Sequence, residues 1–295
     1  MGFTIRHAAI LTGALSLAIA ARPASAQPEE EAEHARPKLI AEHRGVEPGG
    51  SITLGVSFEI DPGWHIYWIG LNDTGFPTTF DWTLPEGFEV GPIGWPVPKR
   101  YATPSVGVLD HIYENRVTHL VPLRVPADAK PGTVATIHVA VEWLVCREAC
   151  IPGFEELSIE VPILEPGSEP RRSADAGLIA EARAALPTPF DAPKSPVRLV
   201  WSGREALIEV TGADAVHFYP HESTAPLESP LRDGASDDNT LRLVLGAPDP
   251  EHPNLRGVVQ AWGADRRPIG AWWVDRPAAP ATARPTESIP RSHGG

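Results

Sequence analysis

From position 52 the chain alternates with a period of two. Ile52, Leu54, Val56, Phe58 and Ile60 are apolar, while Thr53, Gly55, Ser57 and Glu59 between them are small or polar. That period predicts a half-buried strand, because successive side chains leave opposite faces of the pleat. Asp61-Pro-Gly63 then turns the chain, and 64–69 reads as the next strand. Similar patterns predict strands at 79–83, 117–125, 133–146 and 155–163, each bounded by Pro- or Gly-rich turns. The rhythm resumes later, at 197–201, 205–210, 215–219, 240–245, 256–262 and 268–274. Short strands at this spacing predict sandwiches of antiparallel sheets.

Residues 165–195 interrupt the pattern. Glu165-Pro-Gly-Ser-Glu-Pro170 is linker-like. Beyond it, Ser173 is placed to cap a helix whose apolar stripe is Leu178, Ala182 and Ala185-Leu186, stopped by Pro187 and Pro189. The expectation is an all-β protein with two β-sandwich domains, 38–165 and 195–276, joined by a helix-containing linker at 166–194. Residues 27–37 are acidic and lack an apolar period, so they read as a lead-in without structure, and 277–295 as a loose tail.

The first residues change the picture of where the protein works. Arg6 and His7 precede an apolar run at 8–21, too short to span a bilayer, and Ala24-Ser-Ala26 is a small-x-small cleavage site. Residues 1–26 are thus expected to be a signal peptide, and the mature chain to be exported without inserting into a membrane. The whole chain carries a net charge of −13, and 1–26 contains two arginines and no acids, so processing makes it more acidic. Such a charge disfavours nucleic acid and anionic lipid as partners. Met1 is the sole methionine, which excludes a methionine-based copper site in the mature chain.

The candidate chemistry is a cysteine pair. Cys146 and Cys150 are the only two cysteines. In 133–146, Ile137, Val139, Val141, Trp143 and Val145 share one face, and His138, Ala140, Glu142, Leu144 and Cys146 the other. Arg147-Glu-Ala149 is expected to make a tight reversal that brings the two Cα atoms within the 4.4–6.8 Å of a disulfide. As a staple the pair is weak: a loop this short gives roughly 2 kcal/mol in the chain-entropy model, and a chain this long buries a core without cross-links. Arg147 favours a thiolate at Cys146; Glu148 opposes it, or shuttles a proton. Glu142 and His138 share the face of Cys146 but lie about 13 and 26 Å back along the strand. Three readings stay open: a redox-active disulfide, a structural disulfide, and a metal site of two thiolates and a histidine from elsewhere.

Other residues carry less. Trp64, Trp68, Trp82 and Trp95 read as core, whereas Trp272-Trp273 places one ring on each face of a strand and leaves one for solvent. His217 and His221 are four apart, but on a strand, where that spacing does not make a ligand pair. No Ser-His-Asp arrangement, phosphate-cradling loop or zinc-protease signature stands out. No cofactor and no resident metal are expected.

The words around the cysteines carry a resemblance. Trp143-Leu-Val-Cys-Arg-Glu-Ala-Cys-Ile-Pro-Gly153 resembles the cysteine motif of the periplasmic N-terminal domain of the DsbD thiol:disulfide interchange family, in its ScsB-like branch. Upstream, Pro62-Gly-Trp-His-Ile-Tyr-Trp68, Asp73-Thr-Gly-Phe-Pro77, Asp81-Trp-Thr-Leu-Pro85 and Gly94-Trp-Pro-Val-Pro98 resemble that branch's blocks in the same order. Tyr113-Glu114 and Asn254-Leu-Arg-Gly-Val-Val259 are similar to later ones. The resemblance implies immunoglobulin-like sandwiches and a catalytic role for Cys146 and Cys150 in shuttling reducing equivalents. It implies a membrane-embedded or thioredoxin-like electron donor and periplasmic disulfide-containing clients as partners. It also implies an aromatic cap over the pair, with Tyr101 or Tyr113 in that place. Full-length family members add a multi-span region and a thioredoxin-like domain. This sequence shows neither, nor any Cys-x-x-Cys. The expectation is that a separate protein supplies the electrons, or that the domain serves for binding alone.

Overall fold

The alternation at 52–60 becomes one strand whose apolar residues are buried and whose Glu59 faces solvent. The structure, a computed structural model, describes Gly2 and residues 34–278. The expected signal segment (Gly2 apart), residues 27–33 of the lead-in and 279–295 of the tail lie outside the described residues.

Ten strands build the first sandwich: β1 (Ala35–Ala41), β2 (Ser51–Ile60), β3 (His65–Tyr67), β4 (Thr79–Thr83), β5 (Glu89–Val90), β6 (Lys99–Thr103), β7 (Val108–Glu114), β8 (Arg116–Arg124), β9 (Val134–Cys146) and β10 (Cys150–Pro162). One sheet runs β1-β2-β8-β5, the other β10-β9-β3-β7-β6 with β4 also paired to β9. Between them lie Leu54, Val56, Phe58, Val121, Leu123, Ile137, Val139, Val141 and Val145. A connector follows, with helix α1 (Ala176–Ala184) and the short strand β11 (Thr188–Pro189). The second sandwich contains β12 (Val197–Ser202), β13 (Glu205–Val210), β14 (Ala215–Pro220), helix α2 (Pro230–Asp233), β15 (Ala235–Ser236), β16 (Thr240–Val244), β17 (Asn254–Trp262) and β18 (Pro268–Pro277). Its sheets run β11-β18-β17-β14-β15 and β12-β13-β16. Its core is Ile208, Val210, Val216, Phe218, Leu241, Leu243, Leu255, Val259, Trp272 and Val274.

Several expectations need correction. Ala35–Pro37, read as part of a lead-in without structure, open β1 and pair with Phe58–Ile60. Their alternation is hidden by Arg36 and Lys38, which sit on the exposed face. The β6–β7 hairpin was not among the expected strands; Asp110 and His111, both polar, are buried within it. The strand expected at 155–163 starts already at Cys150: Pro152 and Gly153, which read as a turn, lie in β10. Only β9 borders β10 in its sheet, and an edge strand tolerates a proline. Ser173 does not cap α1; Asp175 holds that position without a side-chain cap bond. Instead the Ser173 hydroxyl accepts from the Asp175 amide and donates to the Ala41 carbonyl, tying the connector to β1. The helix buries Ile179 and Ala182 against Ile40 and Leu120, with Leu178 and Leu186 alongside. Of the Trp272-Trp273 pair, Trp272 is buried and Trp273, on the opposite face, is half-buried. Trp272 enters the second core, and Trp273 packs with Tyr219 and Val258 against the first.

Candidate functional site

Cys146 ends β9 and Cys150 begins β10, and they are direct register partners across the hairpin. Arg147–Ala149 close it, with the Arg147 amide donating to the Ala149 carbonyl at 3.2 Å. The sulfurs are bonded at 2.02 Å, and the Cα atoms stand 4.1 Å apart, slightly closer than the expected 4.4–6.8 Å. The two sulfurs have different surroundings. Cys146 is 3% exposed and packs with Tyr67, Ile112 and Leu144, whereas Cys150 belongs to an exposed residue. The His138–Cys146 face of β9 is thus solvated at its start and covered at its end, where β3 and β7 arrive.

Tyr67 is the centre of that cover. Its hydroxyl lies 3.9 Å from the Cys150 Sγ, 3.0 Å from the Thr74 Oγ1 and 3.3 Å from the His65 Nε2. Thr74 donates its proton to the Asp110 Oδ2 at 2.6 Å. The hydroxyl hydrogen of Thr74 is therefore committed, and Tyr67 must be the donor in the Tyr67–Thr74 bond. That leaves the Tyr67 oxygen as an acceptor, facing Cys150 and His65. Asp110, 1% exposed, also accepts the amides of Asp73 and Thr74. A buried carboxylate held by three donors keeps its place. Gly75 completes the seat: a Cβ there would stand 2.2 Å from the Tyr67 ring, so only glycine lets the loop lie on it. Burial pushes the Tyr67 phenol above its ordinary range, with the Thr74 bond opposing. Burial also pushes the His65 imidazole down, against the pull of Asp110, so His65 is neutral at pH 7.

The residues named from sequence are divided by this geometry. Tyr101 on β6 lies at the site: its ring, 42% exposed, is 5.6 Å from that of His65, the register partner of Cys146. Tyr113 does not. It faces the sandwich interior, donates to the Pro96 carbonyl at 2.6 Å and packs against His119, on the sheet face opposite the disulfide. The Arg147 guanidinium lies over the Trp64 ring at 5.0 Å, and Trp64 stacks on His34. Glu148 is exposed in the turn. Glu142 and His138 stay on the solvated stretch of β9, opposite Phe154 and Ser158, away from the disulfide. His217 packs on Trp262, and His221 accepts the Ser223 amide. Sequence reasoning missed His65, Tyr67, Thr74 and Asp110. Three of them sit inside the blocks at 62–68 and 73–77, which were the available signal.

The surroundings are apolar and acidic. Phe76 is 56% exposed next to Gly75, and Phe154 is exposed on the Cys150 face of β10. Glu142, Glu148, Glu155 and Glu156 are exposed on the same hairpin. Among the described residues no group of three or more His, Cys, Asp or Glu is arranged to hold a metal ion. No helix among them is long and apolar enough to cross a membrane.

Comparison with known proteins agrees with this geometry. Residues 36–162 match the family described as thiol:disulfide interchange protein DsbD, N-terminal. No curated protein matches the chain. Among solved structures, the N-terminal periplasmic domain of ScsB from Proteus mirabilis is similar at 13% identity and a TM-score of 0.55. That alignment covers 84% of this chain and 94% of that one, so the likeness of fold extends through both sandwiches. The E. coli chaperone DraB aligns at 8% identity and a TM-score of 0.22, over 81% of this chain and 98% of its own. A Porphyromonas gingivalis protein of unknown function aligns at 10% and 0.24, over 83% and 99%. Scores that low carry no argument. The resemblance read from the sequence is thus met by a family match over residues 36–162.

Proposed function

With residues 36–162 matched to the DsbD N-terminal family, we propose that the Cys146–Cys150 pair carries reducing equivalents from a dithiol donor to disulfide-bonded client proteins. The observation that carries this reading is the asymmetry of the pair: a reachable Cys150 beside a buried Cys146. A donor thiolate attacks the Cys150 Sγ in line with the S–S bond. A donor–Cys150 mixed disulfide forms, and Cys146 leaves as the thiolate and takes up a proton. The donor's second thiolate then attacks its own first sulfur, leaving oxidised donor and a dithiol pair here. Toward a client the sequence runs in reverse. Cys150 attacks the client disulfide, Cys146 resolves the mixed species, the pair is oxidised again, and the client leaves reduced by two electrons.

The Tyr67 network supports this chemistry. Once Cys150 is a thiol, the Tyr67 oxygen is free to accept its hydrogen, and protons can step from Cys150 through Tyr67 and Thr74 to Asp110. The apolar skirt of Phe76, Tyr101 and Phe154 suits contact with a protein rather than with a small thiol. A thioredoxin-like donor and an oxidising compartment, the periplasm, fit a domain of this type; the export signal read at 1–26 is in keeping with that.

Trapping tests the proposal. Cys146→Ser should accumulate a mixed disulfide between Cys150 and a disulfide-bonded client, since no second thiol remains here to resolve it, and Cys150→Ser should not. The pair's reduction potential should lie above about −300 mV, the region below which structural disulfides fall. No trapped complex in either variant, together with a potential below that value, leaves a structural disulfide in a non-catalytic interaction domain.

A further inference from the structure

The second sandwich touches the first where the cover over the disulfide is made. Arg100 and Tyr101 are neighbours on β6, so they leave opposite faces of the sheet. Tyr101 lies beside His65 on the disulfide face. Arg100 reaches the other way, and its Nη2 donates to the Leu231 carbonyl at 2.6 Å and the Pro230 carbonyl at 3.3 Å, both in α2. Its partner across the hairpin, His111, brings its ring to 5.7 Å from Tyr219 of β14. The loop that seats Tyr67 is held from the same side. The Leu71 amide donates to the Pro220 carbonyl and the Glu222 amide to the Ile69 carbonyl, making a short antiparallel bridge between Gly70 and His221. Gly70 permits that approach, since a Cβ there would stand 2.8 Å from the Pro220 carbonyl oxygen. From this bridge the loop runs directly to Thr74 and Gly75 on the Tyr67 ring. Asn72 fastens the stretch between by accepting the His111 amide and donating to the Trp68 and Gly70 carbonyls.

Both halves of the cover are thereby anchored in the second sandwich. β6 is the edge of its sheet and, without a partner on its outer side, would fray by local opening. Arg100 is a half-buried strut against that opening, with α2 supplying the acceptors.

We propose that the second sandwich is a brace that holds the cover shut over Cys146 and the inner side of the disulfide, leaving Cys150 as the one point of attack, and that Arg100 is the positioning residue through which it acts. The inference rests on reading that disulfide as the exchange site. Its test follows the reduction of the full chain by dithiothreitol, scored by alkylation of the released thiols, together with the reduction potential of the pair. Arg100→Ala should speed reduction by roughly five- to tenfold. It should leave the potential unchanged, because an opened cover speeds reduction and reoxidation alike. Arg100→Lys, which keeps a donor for the Leu231 carbonyl, should restore much of the wild-type rate. If Arg100→Ala does not fold, Arg100→Gln gives the same comparison with the stem retained. An unaltered rate in a folded variant overturns the proposal. So does a rate that moves together with the potential, which would place Arg100 in the thiol chemistry itself. Dithiothreitol needs no protein partner, so a failed brace leaves the trapping result standing, and a failed trap leaves the brace standing.

Discussion

The two sandwiches are made of the same alternating strands, yet they bury different things. The second encloses Val216, Phe218, Leu241, Leu255 and Val259, with His221 and Thr224 its only buried polar side chains among the described residues, both near the first sandwich. The first encloses an equally apolar core but also Ser57, His65, Thr78, Asp110, His111, Thr118 and His119. Buried polar groups cost stability unless they are paired. In the first sandwich Asp110, His111 and Asn72 bind loop backbone, so their burial holds a loop in place rather than filling a core. A sandwich that only has to stand uses hydrocarbon; one that must hold a loop over a sulfur pair uses carboxylate and imidazole.

Acid should separate the two most strongly. Burial pushes His111 down to about 4 and His119 to about 3. Both folded values lie below the ordinary 6.5, so below pH 6.5 the unfolded chain binds more protons than the folded one. The stability they hold is complete above pH 6.5 and is lost as pH falls toward 4, by about 1.4 kcal/mol per pH unit for each histidine. At pH 4.5 the two together should remove about 5 kcal/mol from the first sandwich, against a smaller loss from His221 of the second, which burial likewise pushes down to about 4. Urea titrations at pH 7 and 4.5 should show the first sandwich failing first, read from hydrogen exchange in β2 and β9 against β13 and β17. Equal loss in both sandwiches would erase the contrast.

Smaller effects follow at the loop. Asp110→Ala removes the buried acceptor that holds the Asp73 and Thr74 amides and the Thr74 hydroxyl, and should cost about 2–4 kcal/mol in a denaturant series. A loss below 1 kcal/mol would mean the loop holds without it. Gly75→Ala forces a methyl onto the Tyr67 ring and should cost about 1–3 kcal/mol. Gly177→Ala is the counterpart in α1, where a Cβ meets nothing within 4 Å; it should stabilise by roughly 0.5–1 kcal/mol.

How much of this was legible depended on whether burial and polarity agreed. The period of two at 52–60 and at 133–146 wrote β2 and β9 into the sequence, and with β9 the register that places Cys146 at a strand end. The β6–β7 hairpin was illegible because Asp110 and His111, polar yet buried, interrupt the apolar run of Leu109, Ile112 and Tyr113. Ser173 looked like a cap because its chemistry is right, but β1 offers the Ala41 carbonyl, which no local pattern announces. The tyrosines show the limit most clearly. Tyr101 and Tyr113 could be named as aromatic neighbours of the cysteines, but which face each takes is fixed by hairpin register. Tyr67, which does approach Cys150, sits in a word whose tryptophans read as core.

Tyr67→Phe sharpens the comparison to one oxygen. The ring stays on Gly75 and beside Leu144, so packing is conserved, and the loss in stability should be about 1 kcal/mol or less. The hydroxyl was the donor to Thr74 and the acceptor that faces Cys150. Without it the reduced Cys150 loses a partner for its hydrogen, and the step toward Asp110 is cut. Alkylation of the reduced protein by iodoacetamide at pH 7 should therefore speed up at Cys150 by roughly two- to fivefold. Cys146, which contacts the ring but not the oxygen, should change little. Tyr219→Phe, which removes a hydroxyl bonded to Gln260 in the second sandwich, should match it in stability and leave both alkylation rates as they were. If the two variants alkylate alike, the Tyr67 hydroxyl is only a packing group, and the polar interior of the first sandwich serves the loop without serving the sulfur.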